Sequence, residues 1–571
     1  MSLSGSARPA ATRRAPVPEP AEARLPVRRG DNALEFHLLR GDAALDWTRK
    51  AENRDAWGLV YDQCPWGTAY SSSEFFEVWC RNYGQLWSPL LIIARRDEGA
   101  VAGIMPLATR GGVVTGAGTH QAEYHGWLST EEDAESFIAG ALDAIARSLP
   151  RHTLRLHYLP PGVPTAALER VKEKPRVTLA HDQCYEFVLD PDAIARSLKK
   201  KGNKSKLNRL RRVGPLEVEK LDADRFAAAL PRIAAAYDFR QGAMNGDCAF
   251  LDDPRKAEFH LDWMRTAASQ LHATVMTVDG RLASALVLVM SEDEAHLAIP
   301  AHSPELAEHS PVKFHLYQVA LELADQGKRA VDLTPGGEWK QRFSTDVRDA
   351  WELVMHRDVA RATVARVRMK VKDLVRSGLS RMGLSVQQVK DALQGIRGAA
   401  QNAARILTPA RSRDTLYRVD PARFAPAHGR GLVAEECDLA ALMRRGPGLA
   451  RLRRQPFLQQ ATRRIEAGVR PYAVTERGEP VCLAWLSPPP ERRIHDITFE
   501  AGKASARRLS ALVARALDDT RESKESERLE SDLFAVVPER DGTVRDCLAA
   551  LGFAPAGGSV ISGPGTRSPV E

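Results

Sequence analysis

The feature that most constrains this chain is an order of elements that returns along it. Around Leu90–Leu107 the apolar run LLIIA meets the charged turn RRDEG and then AVAGIMPL. Around Ala273–Met290 ATVMTV meets Asp-Gly and RLASALVLVM, and around Pro471–Leu486 PYAVT meets ERGE and PVCLAWL. A glycine-bearing turn between two β-rich runs predicts a hairpin. After the second hairpin the pattern predicts a strand over Ala295–Pro300 and a helix opening at Ser310–Pro311, with Ser as cap and Pro at the first position. Val312, Leu316, Val319, Ala320 and Leu323 fall on one face of that helix, and Gly327 supplies its stop. A strand over Ala330–Thr334 then runs into the turn Pro335–Gly336–Gly337.

The C-terminal copy repeats the order. A strand is expected over Arg493–Glu500, a helix through Leu509, Leu512, Val513, Ala516 and Leu517, and a strand over Leu533–Val537. A last helix through Val544, Cys547, Leu548 and Leu551 leads past Gly552–Phe553 into a closing strand. Three strands, helix, strand, helix, strand is not the alternation of a doubly wound parallel sheet. It predicts an α/β chain of the α+β kind, with mixed sheets and one crossover helix per module, as tandem modules of which the first two pack together as a pair and the third stands C-terminal to them.

At 571 residues the chain exceeds the roughly 250–300 residues at which single cores stop growing. The expected division is a disordered basic tail over 1–33, a first module over 34–190 and a second over 191–358. A basic helical linker follows over 359–412, then a third module over 413–562 and a short tail over 563–571. The seven cysteines lie far apart, with no CxxC pair and no Cys/His cluster at metal-ligand spacing, so they read as buried thiols of a reducing compartment and no metal is expected. No apolar run approaches the roughly 20 residues of a membrane span, and no apolar core follows the N-terminal arginines. The expected location is cytoplasmic, with peripheral contact at the inner membrane face as a further reading.

The net charge of +8 implies an anionic ligand or surface. Its densest source is 196–212, where Arg196, Lys199, Lys200, Lys201, Lys204, Lys206, Arg209, Arg211 and Arg212 occur with no acid. A run this unbalanced favours phosphates or acidic sugars. It lacks interleaved aromatics for base stacking, so nucleic acid other than tRNA is not an expected partner. A second basic stretch, 361–411, carries a helical stripe of Val364, Val367, Val371, Leu374 and Val375. Such a helix reads either as a linker packed on its own domains or as one lying on an anionic membrane.

The ordered β-β-β-α-β-α-β run ending in CLAALGF resembles the C-terminal half of a domain of the GNAT acyltransferase superfamily. The middle of the chain resembles, more specifically, the CelD/BcsL-type acetyltransferases and their FemAB relatives. The residues that carry this likeness are RSLKKKGNKSKLNRLRR (196–212), YDFRQG (237–242), TVDGRLASAL (277–286), HSPVKFH (309–315) and VDLTPGGEWKQRF (331–343). In the first module SSSEFFEVWCRNYG (71–84), IMPL (104–107) and YHGW (124–127) fit as well. Trp339 stands where that family usually has Tyr, Val312 where it often has Gly, and no Gln/Arg-x-x-Gly-x-Gly/Ala loop opens the central helices.

The resemblance implies transfer of an acyl group, from acetyl-CoA or another acyl-CoA as co-substrate, to an amine or hydroxyl. The acceptor it suggests is a sugar or a cell-envelope or exopolysaccharide precursor, and the partners an anionic small molecule or the proteins of polysaccharide synthesis. Asp332, Glu338 and Lys340 are the expected catalytic residues, a carboxylate serving as base and Lys340 facing negative charge. Donor and substrate contacts are expected from Arg240, Ser310, Val312, Lys313, Gly336, Gly337 and Trp339, with Lys199, Lys200 and Lys201 on the anion. The amides of a helix start suit such a donor. Two other readings stand beside this one: a GNAT-fold scaffold protein without chemistry, which the missing loop favours, and a FemAB-like aminoacyl-tRNA-dependent transferase, which the basic run favours.

Overall fold

A computed structural model describes residues 22–27, 34–381, 414–420, 424, 432–488, 493–500, 502–521, 533–538 and 541–560. The chain divides into two compact units, residues 1–184 with 348–366 and residues 185–347 with 367–571.

In the first unit, β1 (Glu22–Val27) and β2 (Leu34–Arg40) precede three helices, α1 (Asp42–Arg49), α2 (Ala51–Asp62) and α3 (Ser73–Tyr83). The hairpin β3 (Ser88–Arg95) and β4 (Val101–Arg110) follows, then β5 (Val113–Gly116), β6 (Leu128–Ser129), α4 (Ala134–Ser148), β7 (Thr153–Leu159), α5 (Thr165–Lys172) and β8 (Val177–Val188). Neighbouring strands β1 to β5 are antiparallel, while β5 and β7 run parallel over three residue pairs. The fully buried Trp57, Trp79 and Trp127 anchor this core, and the Trp57 indole donates to the Ser71 carbonyl at 3.0 Å. Residues 22–27 correct the expected tail. They form β1 because β2 would otherwise leave an open ladder edge, which an extended segment of any composition can pair. The rest of that expected tail lies outside the described residues.

The second unit holds two of the copies. After α6 (Pro191–Lys199), α7 (Lys201–Val213) and β9 (Leu216–Lys220) come α8 (Ala223–Asn245), α9 (Ala249–Asp252) and α10 (Arg255–Thr266). The hairpin β10 (Leu271–Val278) and β11 (Arg281–Met290) then leads to β12 (Glu294–His302), α11 (Pro311–Asp325) and β13 (Ala330–Pro335); the next strand, β14 (Asp346–Met355), belongs from Arg348 onward to the first unit. The β10–β11 turn is Asp279–Gly280, both at positive φ (51° and 71°), the geometry that matches the twist of a two-residue hairpin. Strands β9 to β12 pair antiparallel, and β12 pairs parallel with β13. Of the expected linker, α12 (Val359–Arg381) is described, with Val367, Val371 and Leu374 exposed; 382–412 lie outside the described residues.

The third copy comprises β15 (Asp414–Val419), β16 (Ala434–Glu436), α13 (Leu439–Leu449), α14 (Arg454–Glu466) and the hairpin β17 (Arg470–Glu476) and β18 (Glu479–Leu486). β19 (Arg493–Phe499), α15 (Ala506–Arg521), β20 (Leu533–Pro538), α16 (Gly542–Ala550) and β21 (Ala554–Val560) complete it. Its sheet runs β16-β17-β18-β19-β20-β15-β21, with β19 and β20 its parallel pair. This is the predicted mixed-sheet order, element for element after each hairpin. The third copy also shares a core with the second: Phe239, Ala243 and Cys248 pack with Leu442, Met443, Phe457, Leu458 and Trp485.

All seven cysteines are free and buried. Among the described residues no helix is long and apolar enough to cross a membrane.

Candidate functional site

In the second copy the parallel ladder between β12 and β13 has three rungs, Glu294–Ala330, Ala295–Val331 and His296–Asp332. Both strands continue past the last rung, to His302 and Pro335. The extra residue Ala298, between Leu297 opposite Leu288 and Ile299 opposite Val287, bulges β12 and helps turn it away. Strands that part in this way leave main-chain groups of both without a ladder partner, and such groups are available to a ligand. The crossover from β12 to β13 passes through α11, so the helix start lies at the end of the strands where the ladder stops.

Three copies of the fold allow the three helix starts to be compared. In the first, Asp133 stands at the N-cap of α4, buried, with Thr130 donating to it at 3.1 Å and Arg96 paired with it. A carboxylate thus fills the place an anionic ligand would take. In the third, Lys503 and Arg508 at the start of α15 are engaged by Glu476 and Glu500. In the second, the neighbours of α11 are cations. Lys206 donates to Ser310 Oγ at 3.0 Å, and Lys313 donates to Asn203 Oδ1 at 3.1 Å with its ammonium 5.6 Å from the Tyr317 ring centroid. Ser310 holds the N-cap position at φ 55°, in the left-handed region, and its side chain does not cap the helix.

The basic run is the amphipathic pair α6–α7. Arg196 pairs with Asp190 at 3.7 Å, whereas Lys199, Lys200, Lys201, Lys204, Arg209, Arg211 and Arg212 make no ion pair among the described residues. Asn203 ties the pair down, donating to the Ser197 carbonyl at 2.7 Å, and Leu210 buries the inner face of α7. The structure therefore brings Lys206, of the basic run, to the helix start with Ser310 and Lys313. Val312 packs against the core beneath them.

Asp332 and Lys340 meet through one residue. Asp332 is fully buried; its Oδ1 accepts the Thr334 N–H at 2.6 Å and its Oδ2 lies 3.2 Å from His296 Nδ1. Thr334 has φ 64°, an uncommon conformation for a β-branched residue, held from the other side by Lys340. The Lys340 ammonium donates to Thr334 Oγ1 at 2.8 Å, the Thr334 carbonyl at 3.1 Å and the Pro335 carbonyl at 3.2 Å. Gly336 and Gly337, at φ 74° and 79°, make the turn no other residue would adopt easily. The side chains of Glu338 and Trp339 lie outside the described residues. Arg240 is half-buried on α8, where burial lowers its pKa, and its charge in turn helps hold His302, at the end of β12, down to about 4 after burial.

Sequence reasoning missed the groups around Asp332. His296 Nε2 lies 2.9 Å from Ser291 Oγ, giving a Ser291–His296–Asp332 chain, and Glu294, His296 and Asp332 bring ligand atoms within 4.8 Å of one another. The Arg329 guanidinium pairs with Glu294 and, at 2.5 Å, with the buried Glu186, so it takes the cation's place at this cluster. The third copy keeps Ser487 Oγ 2.8 Å from His495 Nε2 at the matching hairpin, but Val536 stands where Asp332 does. The serine and histidine recur across the two hairpins five residues apart in one copy and eight in the other, so no fixed spacing marked them in the sequence.

Residues 198–343 match the family profile described as an acetyltransferase (GNAT) domain. Over these residues the second copy is similar to a GNAT-type acetyltransferase domain. Among solved structures the chain is similar to the C-terminal domain (DUF2156) of a putative lysylphosphatidylglycerol synthetase from Agrobacterium fabrum, with 13% identity, 56% of this chain and 96% of that one covered, and a TM-score of 0.36. It is also similar to FemX, with 11% identity, coverages of 52% and 95% and a TM-score of 0.38. A third is L-PGS from Bacillus licheniformis, with 12% identity, coverages of 56% and 95% and a TM-score of 0.36. No curated protein matches the chain.

Proposed function

We propose that the second copy is the working transferase, of the CelD/BcsL type. It moves an acyl group from acyl-CoA to an amine or hydroxyl of a sugar or cell-envelope precursor. The observation that carries this reading is the contrast at the three helix starts: cations in the second copy, a carboxylate in the first and closed ion pairs in the third. The donor's phosphates would lie at Ser310–Lys313, against Lys206 and the amides of α11, with Lys199, Lys200 and Lys201 on the outer phosphate.

The acceptor would stand over the Thr334–Gly337 edge. There Glu338 serves as the base that takes the acceptor's proton, and Lys340 offsets charge on the thioester oxygen while holding that edge through Thr334 and Pro335. Asp332, sealed beneath Thr334, positions the edge. Arg240 and Trp339 complete the acceptor side. Acyl transfer then breaks the thioester C–S bond, forms the new C–O or C–N bond, and leaves the thiol with the proton.

A second reading draws on the length of the basic surface. Seven uncommitted cations along α6–α7 exceed what one diphosphate needs and suit an extended polyanion such as the acceptor stem of a tRNA. Calorimetry of the full chain with acetyl-CoA, a longer acyl-CoA and an aminoacyl-tRNA separates the two. Lys206→Gln with Lys313→Gln is expected to weaken acyl-CoA binding at least tenfold and flatten its salt dependence. Unchanged affinity for every donor overturns the transferase reading and leaves a scaffold.

A further inference from the structure

A cavity of about 640 Å³ lies within the second unit, where the second and third copies meet. One wall is α8, with Ala235 and Ala236. A second is the start of α13, with Leu439 and Ala440; Ile465, Pro471, Leu282 and Ser303 also line it. The volume is that of a site for a drug-sized molecule, and the surface is predominantly apolar with a few charged groups at its edge.

Those charges differ in how far they are committed. Glu305 is paired with Arg470 and lies 3.8 Å from Arg281. Glu436 lies 3.4 Å from the same Arg470. Asp438 accepts the Ala441 N–H at 2.7 Å, as the N-cap of α13. Arg232 is exposed at the mouth and makes no ion pair or hydrogen bond among the described residues. Among the described residues lining the cavity, Arg232 is the cation with no ion pair or hydrogen bond, and it stands at the rim of an apolar surface.

We infer that this cavity binds a single-chain amphipathic carboxylate, its chain in the chamber and its acid group at Arg232. The third copy then serves as a wall of a binding site made with its neighbour. This inference is independent of the acyl-transfer reading, because its walls exclude the residues proposed for chemistry.

The test is a fluorescence or calorimetric titration of the full chain with dodecanoate below its micelle concentration. Dodecylamine, acetate and phosphatidylglycerol vesicles are the comparison probes. Dodecanoate is expected to bind saturably at one site, dodecylamine and acetate at least tenfold more weakly, and vesicles not at all. Arg232→Gln should lower dodecanoate affinity about tenfold without changing Tm, the loss expected for one charge-assisted contact. Ala440→Trp, at a half-buried lining position, should abolish binding by filling the chamber; Leu439→Trp is the second variant should the first fail to fold. Absence of dodecanoate binding, equal binding of dodecylamine, preference for vesicles, or undiminished affinity in Arg232→Gln or in a folded Trp variant would each overturn the proposal.

Discussion

His296 Nδ1 stands 3.2 Å from Asp332 Oδ2 on the last rung of the β12–β13 ladder, and neither side chain is more than 2% exposed. A buried partner of this kind leaves its mate uncompensated when removed, at a cost on the order of 3 kcal/mol or more. Asp332→Ala is therefore expected to lower Tm by several degrees. Asp332→Asn keeps an acceptor for the Thr334 N–H and should lose less. Thermal denaturation of the two variants checks the order; an Ala variant as stable as wild type contradicts it.

Arg329 holds two carboxylates that the chain could not otherwise keep together: Glu186, 1% exposed, and Glu294. Arg329→Met should destabilise by about 3 kcal/mol, because Glu186 is left charged and buried. The added change Glu186→Gln should restore much of that loss. Denaturant melts of the single and double variants measure the coupling.

Acid should destabilise the second unit well before its carboxylates titrate. Burial pushes His302 and His495 down to about 4, and His260 and His315 to about 3, all below the ~6.5 of an unfolded chain. Between those values the unfolded state binds more protons. The stability these histidines contribute is thus complete above about pH 6.5 and is lost as pH falls toward 4, at up to about 1.4 kcal/mol per pH unit for each. Melts from pH 7.5 to 4.5 should show that slope, and His315→Gln, which keeps a partner for Ser284 Oγ, should reduce it by one group's share.

The contact between the second and third copies should be sensitive to shape and nearly indifferent to surface charge. A Cβ on Gly242 would lie 2.5 Å from Leu458 Cδ1 and 2.8 Å from Cys248 Sγ. Gly242→Val is expected to cost about 1–3 kcal/mol by overpacking. Arg454→Ala removes a half-exposed pair with Asp252 at 2.7 Å and should cost less than about 1 kcal/mol. Chemical denaturation gives both values, and a larger loss for Arg454→Ala would reverse the assignment.

The hairpins and crossover helices were legible because each is written locally. Asp279–Gly280 and Arg477–Gly478 supply paired positive-φ residues, and the apolar period changes from two to about 3.6 at Pro311. Asp332 and Lys340 were legible as residue types in a strand and a glycine turn, but not their company. The contacts His296–Asp332 and Glu186–Arg329 span 36 and 143 residues and depend on strand register, which local sequence does not specify. The cavity was invisible for the same reason, since its walls are surface positions of two copies that meet only after folding. β1 escaped notice because its pairing depends on the neighbouring edge and not on any period of its own.

The common core of Phe239, Ala243, Leu458 and Trp485 ties the two later copies together as heritable units. A repeat that arises by duplication is ordinarily free to decay, be trimmed or be exchanged, because its siblings fold without it. Here the bare backbone of Gly242 in one copy is fitted to Leu458 in another. A substitution tolerated by either copy alone can still be rejected by its neighbour, so the pair should accumulate changes in concert and be lost or transferred together.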